Sequence, residues 1–252
     1  QKIVEVQQDG DKITIDSGKT MQFDGAVNSS STLSTATGTF DIIVDGTLSG
    51  GNNYLTVTGN ATGTGIVNLS TGSTFEQRVI SDKTFGTTSG SNNWTFNNLI
   101  FSNSSNTDRT ITTNSGGSGQ IIVNGNLQIG QTTDTNTTTL NNNTNNRILD
   151  VNGDVYITTK DILQAAPTAS FTVGGNWLNN GTFTHDNGSI AFDATSGKTI
   201  SGGLNGGNSF YKLIFNGAGG YWTVTDPMKV AAANAADTLV IKQGTVRMGD
   251  SN

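Results

Sequence analysis

The sequence predicts an all-β protein wound as a right-handed parallel β-solenoid (a β-helix) with irregular coils, and three observations carry that prediction. The first is a long internal near-repeat. Lys83 to Ser102 reads K-T-F-G, a polar Gly/Ser/Asn run, then F-N-N-L-I-F-S, and Lys198 to Asn216 reads K-T-I-S, a Gly/Asn run, then F-Y-K-L-I-F-N. The offset from Lys83 to Lys198 nearly equals the offset from Phe96 to Phe210, a long period that belongs to repeat architectures. The second is a shorter motif, V-x-G-[TND]-[LVW], at Val44-Asp45-Gly46, Val123-Asn124-Gly125, Val151-Asn152-Gly153 and Val173-Gly174-Gly175. Each copy reads as a strand end, an Asx-Gly or Gly-Gly turn and a new strand. The steps between Val44, Val123, Val151 and Val173 are multiples or near-multiples of a coil of twenty-odd residues. The third is composition. Leu, Ile, Val and Phe number only 58 of 252 residues, and Thr, Asn, Ser and 33 Gly fill the rest. A solenoid needs just one inward face per short strand, because stacked coils share their core.

In chain order, Lys2-Ile3-Val4-Glu5-Val6-Gln7 alternates as a strand and Asp9-Gly10 turns the chain. Lys12 to Asp16 is the next strand, with Ile13 and Ile15 on one side. Residues 28–39 are almost wholly small and polar and read equally as a loop or as a Thr/Ser strand. Leu55-Thr-Val57, Val67-Asn-Leu69, Ile190-Ala-Phe192 and Leu239-Val-Ile241 each set two apolar residues at i and i+2. Gln131 to Asn146 is low in complexity and reads as an outward loop or polar coil edge; residues 231–236 carry the one helix-like bias. The chain divides into an N-terminal strand, residues 1–12, open to donation to a neighbouring subunit, and a solenoid, residues 13–252. One or two β-sandwiches are the alternative fold, since alternating strands with Gly turns suit both.

Charge narrows the partners. A net charge of −6 argues against nucleic acid, which selects a basic stripe, and the Lys/Arg cluster that anionic lipid selects is absent from the sequence. No apolar run approaches the roughly 20 residues of a membrane-spanning helix, so no membrane insertion is expected. The chain opens at Gln1, which fits a processed, exported protein. Zero Cys removes disulfides and thiolate chemistry. Nine N-x-[S/T] sequons occur, many of them by chance in a chain this rich in Asn, Ser and Thr.

Tests for chemistry return turns. Gly18-Lys19-Thr20 and Gly197-Lys198-Thr199 lack the upstream glycine of a phosphate loop, having Ile13 and Phe192 there. Asp150-x-Asn152-x-Asp154 with Asp161 at the twelfth place resembles a calcium loop, yet Val155 replaces its glycine and Asp161 its glutamate. His185, the one histidine, precedes a turn; glutamate occurs only at Glu5 and Glu76. No catalytic residue, metal ligand or cofactor is expected, and a polysaccharide lyase would need an acidic cluster hidden from the linear sequence. Trp94, Trp177, Tyr221 and Trp222 are the residues a glycan-binding surface would use if exposed, although each lies in or beside a strand where core packing competes.

From Phe171 to Gly217 the run G-N-W-L-N-N-G-T-F-T-H-D-N-G-S-I-A-F-D, then K-T-I-S-G, then F-Y-K-L-I-F-N-G resembles repeats of large secreted bacterial surface proteins of the β-helix, adhesin-like kind. That resemblance implies a right-handed solenoid exposed on a cell surface and transfers no catalytic residue. The expected function is a non-catalytic extracellular structural subunit that self-assembles end to end into a surface filament or layer, a homo-polymer. Lys2, Ile3, Val4, Glu5 and Val6 are its expected subunit contact by strand addition. The alternative is a monomeric adhesin module that binds glycans.

Overall fold

The computed structural model describes residues 3–6, 10–24, 32–35, 38–231 and 238–249. The chain winds as a parallel β-solenoid of about nine turns. Every strand pairing among the described residues is parallel, which rules out the antiparallel sheets of a sandwich. The turns lay their strands on three faces, and above Thr182–Thr184 the first of these faces continues, among the described residues, only as the single bridge between Phe210 and Val230. Face 1 is an eight-stranded sheet running from Asp11–Ile15 through Lys83–Thr87 to Thr182–Thr184. Face 2 includes Ile121–Val123, Leu149–Val151 and Phe171–Val173, and face 3 includes Tyr54–Val57, Leu127–Ile129, Val155–Ile157 and Trp177–Asn179. The long strands Ile66–Val79, Trp94–Asn103, Lys212–Val224 and Leu239–Met248 bend around the corner between faces 2 and 3 and belong to both. No helix among the described residues is long and apolar enough to cross a membrane.

Turn length varies because the loops do. The turn that carries Phe171 to its partner Ile190 is short, whereas the one that carries Asp11 to Phe40 is half as long again. The strands stay in register regardless, because the inward positions at i and i+2 must meet the same positions of the next turn. Thus Leu127, Val155 and Trp177 stack on one face and Ile121, Leu149 and Phe171 on the next, all of them buried. Aromatic rings thicken the core in two places. Phe85 packs among Phe75, Trp94, Phe96 and Phe101, and Trp177 packs among Phe171, Phe183, Phe192 and Phe210.

The corners explain the Asn and Gly. Three of the four V-x-G turns, at Gly125, Gly153 and Gly175, lie one above another at the corner between faces 2 and 3. A Cβ on Gly153 would stand 2.2 Å from the Gly125 carbonyl oxygen, so the backbones approach too closely for any side chain. The steps from Val123 to Val151 and from Val151 to Val173 are therefore true turn lengths, since each pair is also a strand pairing. The fourth copy, Val44-Asp45-Gly46, sits at a different corner, between Phe40–Val44 of face 1 and Thr47–Gly51 of face 2. Beside the glycine stack runs a ladder of side chains. The Oδ1 atoms of Asn98, Asn126, Asp154 and Asn176 accept the backbone N–H of Asn126, Asp154, Asn176 and Thr199 at 2.9, 3.0, 2.7 and 2.8 Å. Each link satisfies an N–H that the corner takes out of the strand ladder.

The long repeat needs correction. Leu99 is on face 3, paired with Leu127, whereas Leu213 is on face 2, paired with Ile190. Lys83 lies on face 1 and Lys198 on face 3. The two stretches are not equivalent coils of one stack. They sit one face out of step, because the chain between them does not make a whole number of turns.

The expected boundary at residue 12 falls inside Asp11–Ile15. Ile3–Val6 pairs with Thr32–Thr35 as a rung of face 3, so the polar segment 28–39 includes a strand. In the low-complexity segment, residues 130–137 loop outward and Thr138–Asn141 returns to face 1 with Leu140 buried. The helix-like bias at 231–236 lies, apart from residue 231, outside the described residues.

Candidate functional site

The strand alternation that builds the core also decides which aromatic side chains face outward. Trp94, Trp177 and Trp222 occupy inward positions and are 1%, 1% and 0% exposed. Sugar stacking requires an open ring face, and these three have none. Trp177 stands where the neighbouring turns carry Val155 and Leu127, and Trp94 where the next carries Ile121. Tyr221 alone of the four is exposed. Of the expected subunit contacts, Ile3, Val4, Glu5 and Val6 form the strand paired with Thr32–Thr35, and Lys2 lies outside the described residues.

Face 3 carries a surface that the linear sequence did not single out. Outward-pointing Glu76, Ile100, Gln128, Tyr156 and Leu178 follow one another on successive rungs. Tyr54, Thr74, Asn98 and Asn126 form a second row beside them. A hollow of about 190 Å³ lies between Tyr54 and Tyr156, floored by Asn98, Ile100, Asn126 and Gln128. A second, of about 300 Å³, continues past Tyr156 to Leu178 and Asn180 and is bordered by Thr132. Tyr156 divides one groove into two compartments.

Both tyrosines are held by carboxylates. The Tyr54 hydroxyl donates to Glu76 Oε2 at 2.8 Å, and the Tyr156 hydroxyl donates to Asp154 Oδ2 at 2.7 Å. Burial and the Glu76 carboxylate push the Tyr54 phenol upward; the bond to Asp154, then burial, pushes Tyr156 up to about 12. At Asp154 burial acts upward, but hydrogen bonds from Tyr156 and Asn176 outweigh it and hold the carboxyl below its usual range. Both rings therefore stay neutral near pH 7 and fixed in orientation.

One flank of the groove is the loop 130–137, tied down by a buried polar cluster. Glu76 also accepts from Ser102 Oγ at 2.5 Å and from the Gln131 amide, and it pairs with Arg78 Nη1 at 3.2 Å. Arg78 Nη2 reaches Asp134 Oδ1 at 3.1 Å, and Asp134 Oδ2 accepts the N–H groups of Asn103 and Gln131. Glu76 and Asp134 would be costly to bury without these partners. The cluster fixes the loop through Gln131 and Asp134.

The other motifs are scattered. Gly18-Lys19 turns the chain between two strands, and Lys198-Thr199 lies within Gly197–Gly202. Of the calcium-like set, Asp154 belongs to the corner ladder, while Asp161 accepts Thr138 N at 2.7 Å behind face 1; no group of three ligating residues gathers among the described residues. His185 accepts Asn187 N in a turn, with its ring beside Tyr211. The sequon residues Asn103 and Asn142 are buried with their amide nitrogens donating to carbonyls, so both are structural.

A scan of protein-family models and searches of curated proteins and of solved structures find no match to this chain.

Proposed function

We propose that this chain is a non-catalytic structural subunit of an extracellular, cell-surface assembly that extends by adding parallel β-rungs end to end. The observation that carries this reading is Leu239–Met248, the last described rung. It pairs with Lys212–Val224 on one side and has no strand partner on the other among the described residues. Leu239, Ile241 and Met248 are 50%, 54% and 56% exposed, whereas Leu213, Phe215 and Val224, their partners one turn below, are at most 1% exposed. Covering the three would contribute about 1 kcal/mol each, in addition to a new ladder of backbone hydrogen bonds.

The partner rung is Ile3–Val6 of a second copy. That strand and the second half of Leu239–Met248 lie on the same face, so docking one on the other continues face 3 without a change of direction and covers Met248, while Leu239 and Ile241, in the face-2 half, are left to the second copy's first face-2 strand, Thr20–Asp24. A head-to-tail contact of this kind propagates instead of closing. The cell-surface setting rests on the resemblance noted in residues 171–217 and on the low-charge, Thr- and Asn-rich composition.

Sedimentation velocity and electron microscopy over a concentration series test the proposal. The intact chain should grow into linear stacks, and both Ile241→Lys and removal of residues 1–8 should shorten them to single subunits. A chain that stays monomeric at millimolar concentration, or variants that assemble like the parent, would overturn it. The glycan-binding alternative loses Trp94, Trp177 and Trp222 as contacts.

A further inference from the structure

We propose that the groove on face 3 binds a neutral oligosaccharide chain laid along the solenoid axis, with sugar rings resting on Tyr54 and Tyr156. This does not depend on end-to-end assembly, since the groove lies on the middle turns. Tyr156 stands four rung spacings from Tyr54, a span of about 19 Å at the usual strand spacing, which calls for an extended polymer rather than a single small molecule.

The argument rests on what surrounds the rings. Each hydroxyl is spent on a carboxylate, Glu76 or Asp154, so the rings are oriented before any ligand arrives and little side-chain entropy is lost on binding. Between them, one rung offers a donor and an acceptor side by side. The Asn126 oxygen is used in the corner ladder, and its NH₂ has no protein partner among the described residues. The Gln128 NH₂ donates to the Gly130 carbonyl, and its oxygen is likewise unpartnered among the described residues. Such a pair matches neighbouring hydroxyls, which both donate and accept, and flat ring faces with C–H bonds match aromatic platforms.

Two other occupants fit less well. An extended peptide binds a sheet chiefly through an open strand edge, and the strands flooring this groove are paired on both sides. An anionic polymer would meet Glu76 and Asp154 in a chain of net charge −6.

Titration calorimetry with cellohexaose, mannohexaose and chitohexaose, alongside a hexagalacturonate and a proline-rich decapeptide, tests the assignment. At least one neutral hexasaccharide should bind, and Tyr54→Ala and Tyr156→Ala should each weaken it by about tenfold or more. Tyr156→Phe keeps the ring and removes only its anchor, so it should weaken binding less than Tyr156→Ala; its melting temperature, compared with the parent's, confirms that the stack is intact. Absence of binding by all three neutral probes, binding unchanged in both alanine variants, or stronger binding of the galacturonate or the peptide would overturn the proposal.

Discussion

Lys83–Ser102 and Lys198–Asn216 are nearly the same text written on different sides of the molecule. In the first, Lys83–Thr87 lies on face 1, Phe96 on face 2 and Leu99 on face 3. In the second, Lys198 lies on face 3 and Leu213 on face 2; Phe210, which bridges to Val230, fills the place where face 1 would continue above Thr182–Thr184. Each element is displaced by one face. The comparison teaches that the repeated unit is strand, loop, strand and corner, with no address attached. Every face asks for inward apolar residues at i and i+2, so the same unit serves on any of them.

The comparison can be broken most severely at the paired phenylalanines. Phe96 and Phe210 are both buried in aromatic clusters, the first against Phe75, Phe85 and Trp94, the second against Trp177, Phe183 and Phe192. Alanine at either site should cost about 3–5 kcal/mol in denaturant unfolding. Near-equal losses support an interchangeable unit, and a large inequality would show that one face bears more of the stability.

A middle-sized effect separates corner from loop. Gly125 rests on the first stretch, where a Cβ would stand 2.7 Å from the Asn97 carbonyl oxygen, whereas Gly207 in the loop of the second stretch has nothing within 4 Å. Gly125→Ala should therefore destabilise by about 1–3 kcal/mol, against a change within about 0.5 kcal/mol for Gly207→Ala. Equal melting temperatures for the two variants would show that the corner can spread to admit a methyl group.

The smallest difference lies where the two texts part. Asn98 starts the side-chain ladder by accepting Asn126 N at 2.9 Å, and the matching residue of the second stretch is Lys212. Asn98→Ala should cost about 1 kcal/mol and speed amide exchange at Asn126, while Lys212→Ala should change stability by less than about 0.5 kcal/mol. If Asn126 exchange is unaltered, the ladder is a consequence of stacking and adds nothing to it.

Much of this architecture was legible in the sequence, for a physical reason. Alternation of apolar residues about V-x-G reports strand, turn and strand directly, and the stacked corners forbid side chains at Gly125, Gly153 and Gly175. Face identity was not legible, because loops of unequal length reset the angular position without touching the strand pattern. The same alternation also marks which aromatic residues face outward. Tyr156 falls between inward Val155 and Ile157, and Tyr54 precedes inward Leu55, which marks both as outward; Trp177 takes the inward place of Val155. Position in the motif, and not side-chain type, decides whether these aromatic rings are exposed. The groove's flank was hidden for another reason. It needs Glu76 and Asp134 brought together through Arg78, which is far from Asp134 in the chain.

The variable turn length has a kinetic meaning. Even the widest of the turns compared above, from Asp11 to Phe40, takes up only a small part of the chain, so paired strands are close in sequence relative to chain length although their residues lie a full turn apart. Loop closure is correspondingly inexpensive at every step, and order can spread from any formed pair of turns to the next. Folding should then proceed as a travelling front, with the aromatic clusters around Phe85 and Trp177 as its two natural starting points.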